Sequence, residues 1–280
     1  MLREVVFAFV GGFACAAYGA AIDDIPWTAS NVAALRALDR GAIEDFVNRV
    51  AGDGVQHANV GEFVWSDIAG DGRYALVLTA DTTGRLFFDA VYIYRRGDRG
   101  KLDVQTILGR GVRDLPEAVR QLDVDHQLEL VIPSGLDAQG PGGPLSPTVV
   151  WPRVYKLRNG EYVDRSRDFP RFYDSEVLPE LDAAIDEARK NVAAEPASAA
   201  EAVACFPRRR LASLEMAKDK ILRVLGRDPT AGVNAARAWV ANADPCLLGN
   251  AILVLRDVGG HGDDLRAAEN AMSQRLKPAH

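Results

Sequence analysis

The chain has 280 residues, a formal net charge of -6 and a hydrophobic fraction of 48%. This length suits one large domain or two modest ones, and it can bury an adequate core without help from disulfides or metals. The acidic balance argues against a nucleic-acid partner, because phosphate binding requires a basic face. The basic run Arg208-Arg209-Arg210 is predicted to lie at the solvated start of a helix.

The N-terminus has the features of an export signal. An apolar run from Val5 to Phe13 follows Arg3, and most positions between Ala14 and Ala21 hold small residues. The run is too short to span a bilayer as a helix, but it is typical of a secretory signal with a small-residue cleavage site. We therefore predict a signal peptide over residues 1–21, a periplasmic or secreted protein, and no membrane span after signal removal. A buried N-terminal helix of a cytosolic protein is the other interpretation.

The chain has three cysteines, and cleavage of the signal removes Cys15 but leaves Cys205 and Cys246. An even pair in an oxidising compartment is consistent with one disulfide. Two buried thiols in separate helices are the alternative, because the sequence does not establish how close the two residues lie.

The predicted elements begin with short helices within residues 22–59, over 31–38 and 42–50. The segment 60–174 is then rich in β-branched and aromatic residues, and Asn159-Gly160 is a strong two-residue hairpin turn. Strands are predicted over Phe63–Trp65, Tyr74–Ala80, Leu86–Tyr94, Leu102–Leu108, Leu128–Pro133, Val154–Leu157 and Glu161–Asp164.

From Ser175 to the C-terminus the hydrophobic period becomes helical. A first helix carries its apolar residues on one face between Leu178 and Ala188, and further helices are predicted over 211–225, 231–241, 247–257 and 265–276. Short helices joined by short turns suggest antiparallel neighbours. This pattern loosely resembles HEAT-type helix pairs, and the resemblance implies a concave surface for a protein partner.

Two segments of the β region resemble each other, Asp67–Leu78 and Gln121–Ile132. Each is an acidic loop that leads directly into an apolar strand, which indicates a repetitive β architecture. The loops resemble those of the FG-GAP/VCBS family, in which Asp-x-Asp-x-Asp-Gly-x-x-Asp/Glu precedes a strand reading Leu-Val-Val. The resemblance covers about Val60 to Tyr173 and implies two blade-like repeats, too few for a closed propeller. The expected fold class is therefore α+β, with an antiparallel β domain (a partial propeller) over 60–174 and an α-helical domain over 175–280.

The family resemblance implies calcium as a cofactor, because alternating carboxylates direct several oxygens at one hard cation. The first loop has lost two ligand positions, to Ala69 and Ala75, and is the weaker candidate. Alternatively, both loops are vestigial and are held by Asx-type turns to backbone amides. The candidate ligands are Gln121, Asp123, Asp125 and Glu129 in the second loop, and Asp67 and Asp71 in the first.

Aromatic residues cluster near the end of the β region, at Trp151, Tyr155, Phe172 and Tyr173. One interpretation places them in the core where the β domain meets the helices. The other makes them a ligand-binding patch of the kind that contacts glycans or peptides.

No short catalytic motif is present. The histidines lack metal-ligand spacing, and no serine lies in a nucleophile elbow. We therefore expect an exported, non-catalytic binding or scaffolding protein that contacts a protein partner. The alternative is a hydrolase of envelope glycans that uses loop carboxylates such as Asp81, Asp89 or Asp137.

Overall fold

The computed structural model describes residues 22–51, 59–81, 90–97, 100–109, 112, 114–137, 148–194, 201–227, 230–242, 244, 246–258 and 262–275. The predicted signal peptide over residues 1–21 lies outside the described residues, as does Asp89. Asp81 and Asp137 end two strands, and their side chains are not among those described.

Within the described residues, eight strands form two antiparallel sheets of four strands, and in each sheet the spatial order follows the chain order. The first sheet contains Asn59–Ser66 (β1), Ala75–Asp81 (β2), Ala90–Arg96 (β3) and Leu102–Leu108 (β4). The second contains Val119–Arg120 (β5), Glu129–Asp137 (β6), Thr148–Arg158 (β7) and Glu161–Asp164 (β8).

The predicted turn at Asn159-Gly160 is confirmed, since both residues have positive φ, 50° and 87°, as a two-residue hairpin turn requires. The strands over Leu102–Leu108 and Glu161–Asp164 have the predicted bounds. β5 was not predicted, because two residues are too few to show a period.

Helices flank the sheets on both sides in the sequence. Before the first sheet are Val32–Arg36 (α1) and Arg40–Ala51 (α2), and Leu115–Ala118 (α3) connects the two sheets. After the second sheet are Pro170–Phe172 (α4), Leu178–Ala193 (α5), Glu201–Val224 (α6), Thr230–Ala241 (α7), Leu248–Val258 (α8) and Gly262–Arg275 (α9), and a π-helical turn over Tyr173–Val177 leads from α4 into α5.

The first sheet is buried on both faces, which explains why every described side chain of β2 is buried. Leu76 and Leu78 point to one face and pack with Phe46 of α2, whereas Ala75 and Val77 point to the other. That second face packs against the second sheet in a shared cluster, whose members from the second sheet include Leu130, Ile132, Leu157 and Tyr162.

The outer face of the second sheet packs against the C-terminal helices. Val149, Trp151 and Val154 of β7 share one buried cluster with Ile221 of α6 and Leu253 of α8. The layers are thus N-terminal helices, first sheet, second sheet and C-terminal helices. An α+β fold with antiparallel sheets is confirmed, while the partial propeller remains a prediction.

Candidate functional site

The two acidic loops occupy the same place in their sheets, because each connects the first strand to the second. In the first loop the Asp71 carboxylate accepts a hydrogen bond from the amide two residues later, at 3.0 Å, and Asp125 does the same in the second loop at 3.1 Å. The next residues, Gly72 and His126, both have positive φ, at 81° and 63°. The segments therefore share this hydrogen bond and the left-handed residue after it, but Gly70, with φ of 71°, has no left-handed counterpart at Val124.

The loops also contact each other. The Leu128 amide donates to the carbonyl of Ile68 at 3.0 Å. Gly70 has φ of 71°, and a Cβ there would lie 2.7 Å from the His126 carbonyl oxygen. Glycine is thus required at position 70 both by its backbone conformation and by the approach of the second loop.

In the second loop, carboxylate oxygens of Asp123, Asp125 and Glu129 lie within 4.8 Å of one another, so the three could hold a metal ion. Glu129 is fully buried, whereas Asp123 and Asp125 are partly exposed. Gln121, the fourth candidate ligand, is exposed and makes no hydrogen bond to the cluster within the described part of the chain. The structure therefore brings together three of the four predicted groups.

A lysine side chain reaches the centre of this cluster. The Lys156 ammonium, on β7, contacts the Asp123 carboxylate and lies 2.6 Å from Asp125 and 3.4 Å from Glu129. Only 5% of the Lys156 side chain is exposed. Burial lowers the pKa of Lys156, but the hydrogen bonds to Asp123 and Asp125 outweigh it and raise the pKa above its ordinary value. The hydrogen bond from Lys156 also lowers the pKa of Asp125 to about 2.

Glu129 is the least solvated member of the cluster. Its Oε2 accepts a hydrogen bond from the Leu122 amide at 2.8 Å, while its Oε1 is buried without a hydrogen-bond partner among the described residues. Burial raises the pKa of this carboxyl group above its ordinary value. The Leu122 amide is the largest contribution that stabilises the ionised form of Glu129, and the Lys156 ammonium adds to it.

The first loop has no such cluster among the residues described. The Asp67 carboxylate accepts hydrogen bonds from the amides of Asp71 and Gly72, at 3.1 and 2.9 Å. Ala69 and Ala75 stand where the second loop has Asp123 and Glu129. The carboxylates of the first loop thus satisfy backbone amides, as in an Asx-type turn.

Sequence reasoning missed Lys156, although strand register gives a signal for it. Leu76 pairs with Tyr94 in the first sheet, and Leu130 pairs with Tyr155 in the second. The residue that follows each tyrosine is basic, Arg95 in β3 and Lys156 in β7. The Arg95 guanidinium instead donates to the Gly160 carbonyl, so only the lysine enters an acidic cluster.

The burial of the aromatic cluster favours the core interpretation over an exposed ligand patch. Trp151, Phe172 and Tyr173 are buried in the core shared by the second sheet and the C-terminal helices. Tyr155 packs instead against the cluster between the two sheets. The core interpretation therefore holds for these residues, because β7 has a covered face on each side.

Trp151 and Phe172 nevertheless form part of the floor of a groove of about 790 Å³, which we name the β7–α5 groove. Its apolar members also include Leu181 and Ile221, and its rim carries exposed glutamates. The lining charged residues are Glu117, Arg120, Glu176 and Glu180.

Arg120 neutralises only one glutamate of this rim among the described residues. Its guanidinium lies 2.7 Å from Glu176 and sits over the Phe172 ring at 5.4 Å from the ring centre. Glu117 and Glu180 make no ion pair among the described residues. The groove therefore combines an apolar floor with an excess of negative charge.

The two remaining cysteines are bonded. A disulfide joins Cys205 of α6 to Cys246, with 5.0 Å between their Cα atoms. The prediction that Arg208-Arg209-Arg210 begins a helix is wrong, because α6 starts at Glu201 and continues through Pro207. The side chain of Arg208 pairs with Asp244, and Arg209 Nε donates to the Cys246 carbonyl at 3.1 Å, so both arginines are held by contacts beside the disulfide.

Comparison with protein-family models, curated proteins and solved structures finds no match for this chain. The resemblance to FG-GAP/VCBS and HEAT-type repeats therefore remains a prediction. In the part of the chain that the structure describes, no helix has both the length and the apolar character needed to cross a membrane.

Proposed function

We propose that this is an exported, non-catalytic binding protein that holds a basic, amphipathic peptide segment of a partner protein in the β7–α5 groove. The observation that carries the proposal is the groove itself, which has an apolar floor beneath a glutamate rim. An apolar face on the ligand would bury surface on the floor, and its lysines or arginines would face the rim.

The composition of the groove favours binding over catalysis. Its lining contains no histidine, cysteine, serine or lysine among the described residues, so the glutamates Glu117, Glu176 and Glu180 are the groups there that could act as a nucleophile or general base. The exposed Val150, with 43% of its surface accessible, adds apolar area at the edge of the groove. Exposed apolar surface beside charged side chains suits contact with an amphipathic ligand.

The disulfide supports export. A bond between Cys205 and Cys246 persists in oxidising compartments and is rare in reducing ones. It agrees with the secretory character of residues 1–21 in the sequence.

Calcium enters this proposal only conditionally. The all-oxygen donor set of Asp123, Asp125 and Glu129 is of the type that calcium prefers. The Lys156 ammonium already contacts all three groups, so we infer that the binding function does not require calcium.

A bulky side chain placed in the groove tests whether the groove binds the peptide. We expect Ala184→Phe, in the groove wall on α5, to weaken binding of a synthetic Leu/Lys amphipathic peptide by about tenfold or more, equal to about 1.4 kcal/mol. The added ring occupies the space that the peptide needs. Isothermal calorimetry measures the affinity of each variant.

The matched control is Ala183→Phe, an exposed neighbour on α5 that does not line the groove, and it should bind as the wild type does. A peptide with Glu in place of Lys should bind more weakly than the Leu/Lys peptide, because it repels the rim. Equal binding of both peptides, or cleavage of envelope glycans that is lost in Glu117→Gln, would overturn the proposal.

A further inference from the structure

We propose that the Lys156 ammonium is a built-in cation that takes the place of a divalent metal in the second acidic loop, and that removing its charge creates a calcium site there. This inference concerns residues outside the β7–α5 groove and does not depend on the proposed binding function.

The position of the ammonium is that of a bound cation. It contacts the Asp123 carboxylate and lies 2.6 Å from Asp125 and 3.4 Å from Glu129, so one positive centre faces three carboxylates. The oxygens that face it are close enough to one another to share a single ion. An ammonium donates to at most three acceptors, whereas calcium accepts about six to eight oxygens.

Glu129 gives independent support for a ligand at this point. Its side chain is fully buried, and Oε1 has no hydrogen-bond partner among the described residues although Oε2 is bonded to a backbone amide. A buried, unsatisfied carboxylate oxygen is costly. It lies 3.4 Å from the Lys156 ammonium, a longer contact than the 2.6 Å of Asp125, so a metal ion would coordinate it more closely than the lysine does.

The charge count shows why the lysine excludes a metal only while it is charged. Three ionised carboxylates carry three negative charges, and within the described residues Lys156 is their single ion-pair partner. A calcium ion beside the ammonium would meet repulsion at close range in a poorly solvated site. Without the ammonium, a divalent cation neutralises the charge of the same three carboxylates better than water does.

The first loop shows that the turn itself needs no cation. It has the same Asx hydrogen bond and the same positive φ, yet alanines replace Asp123 and Glu129. The cation therefore neutralises the additional carboxylates of the second loop, and the backbone conformation does not require it. A cavity of about 390 Å³, whose lining includes Leu122, Asp123 and Lys156, borders the site.

The experiment compares the wild-type protein with Lys156→Met and Lys156→Gln, which remove the charge and keep most of the side-chain length. Calcium is titrated by calorimetry into chelator-treated protein, and melting is followed with calcium or with chelator. We expect at least tenfold tighter calcium binding by both variants than by the wild type, and a higher melting temperature of the variants in calcium. Asp125→Asn added to Lys156→Met should abolish the gain.

Lys190→Met, an exposed lysine on α5, is the matched control and should behave as the wild type does. If a Lys156 variant unfolds in chelator, recovery of its folded spectrum on adding calcium supports the proposal equally. Wild-type protein that binds calcium as tightly as the variants would overturn it. A lack of response to calcium in the Lys156 variants, whether they are folded or unfolded, would also overturn it.

Discussion

Lys156 carries one positive charge on a side chain that reaches from the middle of a strand into a loop of the neighbouring segment. Its methylene stem is buried, its ammonium lies over the Phe169 ring at 5.8 Å from the ring centre, and its charge is balanced by carboxylates. A buried lysine normally loses its proton, but here hydrogen bonds to Asp123 and Asp125 keep it charged. Removing the lysine would leave the three carboxylates without their ion-pair partner among the described residues.

The pairing predicts a stability difference that depends on pH. The folded pKa of Asp125 is about 2, below an unfolded value of about 3.9. The pair therefore stabilises the fold fully above about pH 4, and the contribution is lost as the pH falls through about 2. Because 40% of the Asp125 side chain is exposed, solvent screening reduces this contribution to about 1 kcal/mol.

We therefore expect Asp125→Asn to be about 1 kcal/mol less stable than the wild type at pH 7, and the difference to shrink towards zero near pH 2. Urea unfolding of both proteins across this range measures it. Asp186→Asn, an exposed residue of α5, serves as the control. A difference that stays constant with pH would show that Asp125 is not stabilised by Lys156.

At the scale of single residues, the sequence predicted the acidic cluster but not the lysine that contacts it. Asp123, Asp125 and Glu129 are recognisable because they lie within one short segment at regular spacing. Lys156 is distant in the sequence, and only the pairing of β6 with β7 brings it to the loop. The register between two strands cannot be predicted from the sequence of one strand. The contact of Lys156 with the acidic loop therefore could not be predicted from the sequence.

At the scale of elements, the two loops show how a turn can persist while its side chains change. The position after Asp71 and Asp125 needs left-handed backbone, which Gly72 adopts freely and His126 adopts at some cost. The two loops thus share this backbone conformation, whereas the carboxylates around it differ between them. Residue pattern was sufficient to predict the loops and most strands, but α3 and β5 are too short to carry a periodic signal.

The start of α6 shows where local signals mislead. Pro207 and three successive arginines suggest a helix start, yet the helix begins at Glu201. Proline in a helix interior is normally costly. Here the disulfide at Cys205 and the contacts of Arg208 and Arg209 fix this stretch against the segment that holds Cys246. These long-range contacts cannot be predicted from the residues close to the start of the helix.

The disulfide gives a prediction at this scale. Its two cysteines are 41 positions apart, a loop length for which cross-linking stabilises a fold by about 2–4 kcal/mol. We expect the double variant Cys205→Ser and Cys246→Ser to lose about that much free energy of unfolding, measured in urea. Reductant should lower the stability of the wild type and leave that of the double variant unchanged. Equal stability of the two proteins would show that the bond does not constrain the chain.

At the scale of the whole molecule, three buried clusters join four layers. The N-terminal helices cover one face of the first sheet, the two sheets cover each other, and the C-terminal helices cover the remaining face. The helices and β7 share a core through Trp151 and Val154, so the predicted boundary at residue 175 separates types of structure within one packed body. The pattern of strands followed by helices predicted the α+β class, whereas the stacking of layers depends on long-range packing that a periodicity analysis does not contain.

This layering also places the β7–α5 groove. It lies on the outer face of the second sheet, where helices cover β7 incompletely and leave Val150 partly exposed. The described residues that line the groove include none from the N-terminal helices or the first sheet. A ligand in the groove would therefore affect the second sheet and α5, with little direct effect on the first sheet.

Mapping the binding surface tests the central claim most directly. In a nuclear magnetic resonance titration of the wild-type protein with the Leu/Lys amphipathic peptide, we expect amide shifts concentrated at Val150, Glu176, Leu181 and Ala184, together with a shift of the Trp151 indole N–H. The amides of α1 and α2 should not move. Shifts centred on the N-terminal helices or on the acidic loops, with the groove unaffected, would contradict the account.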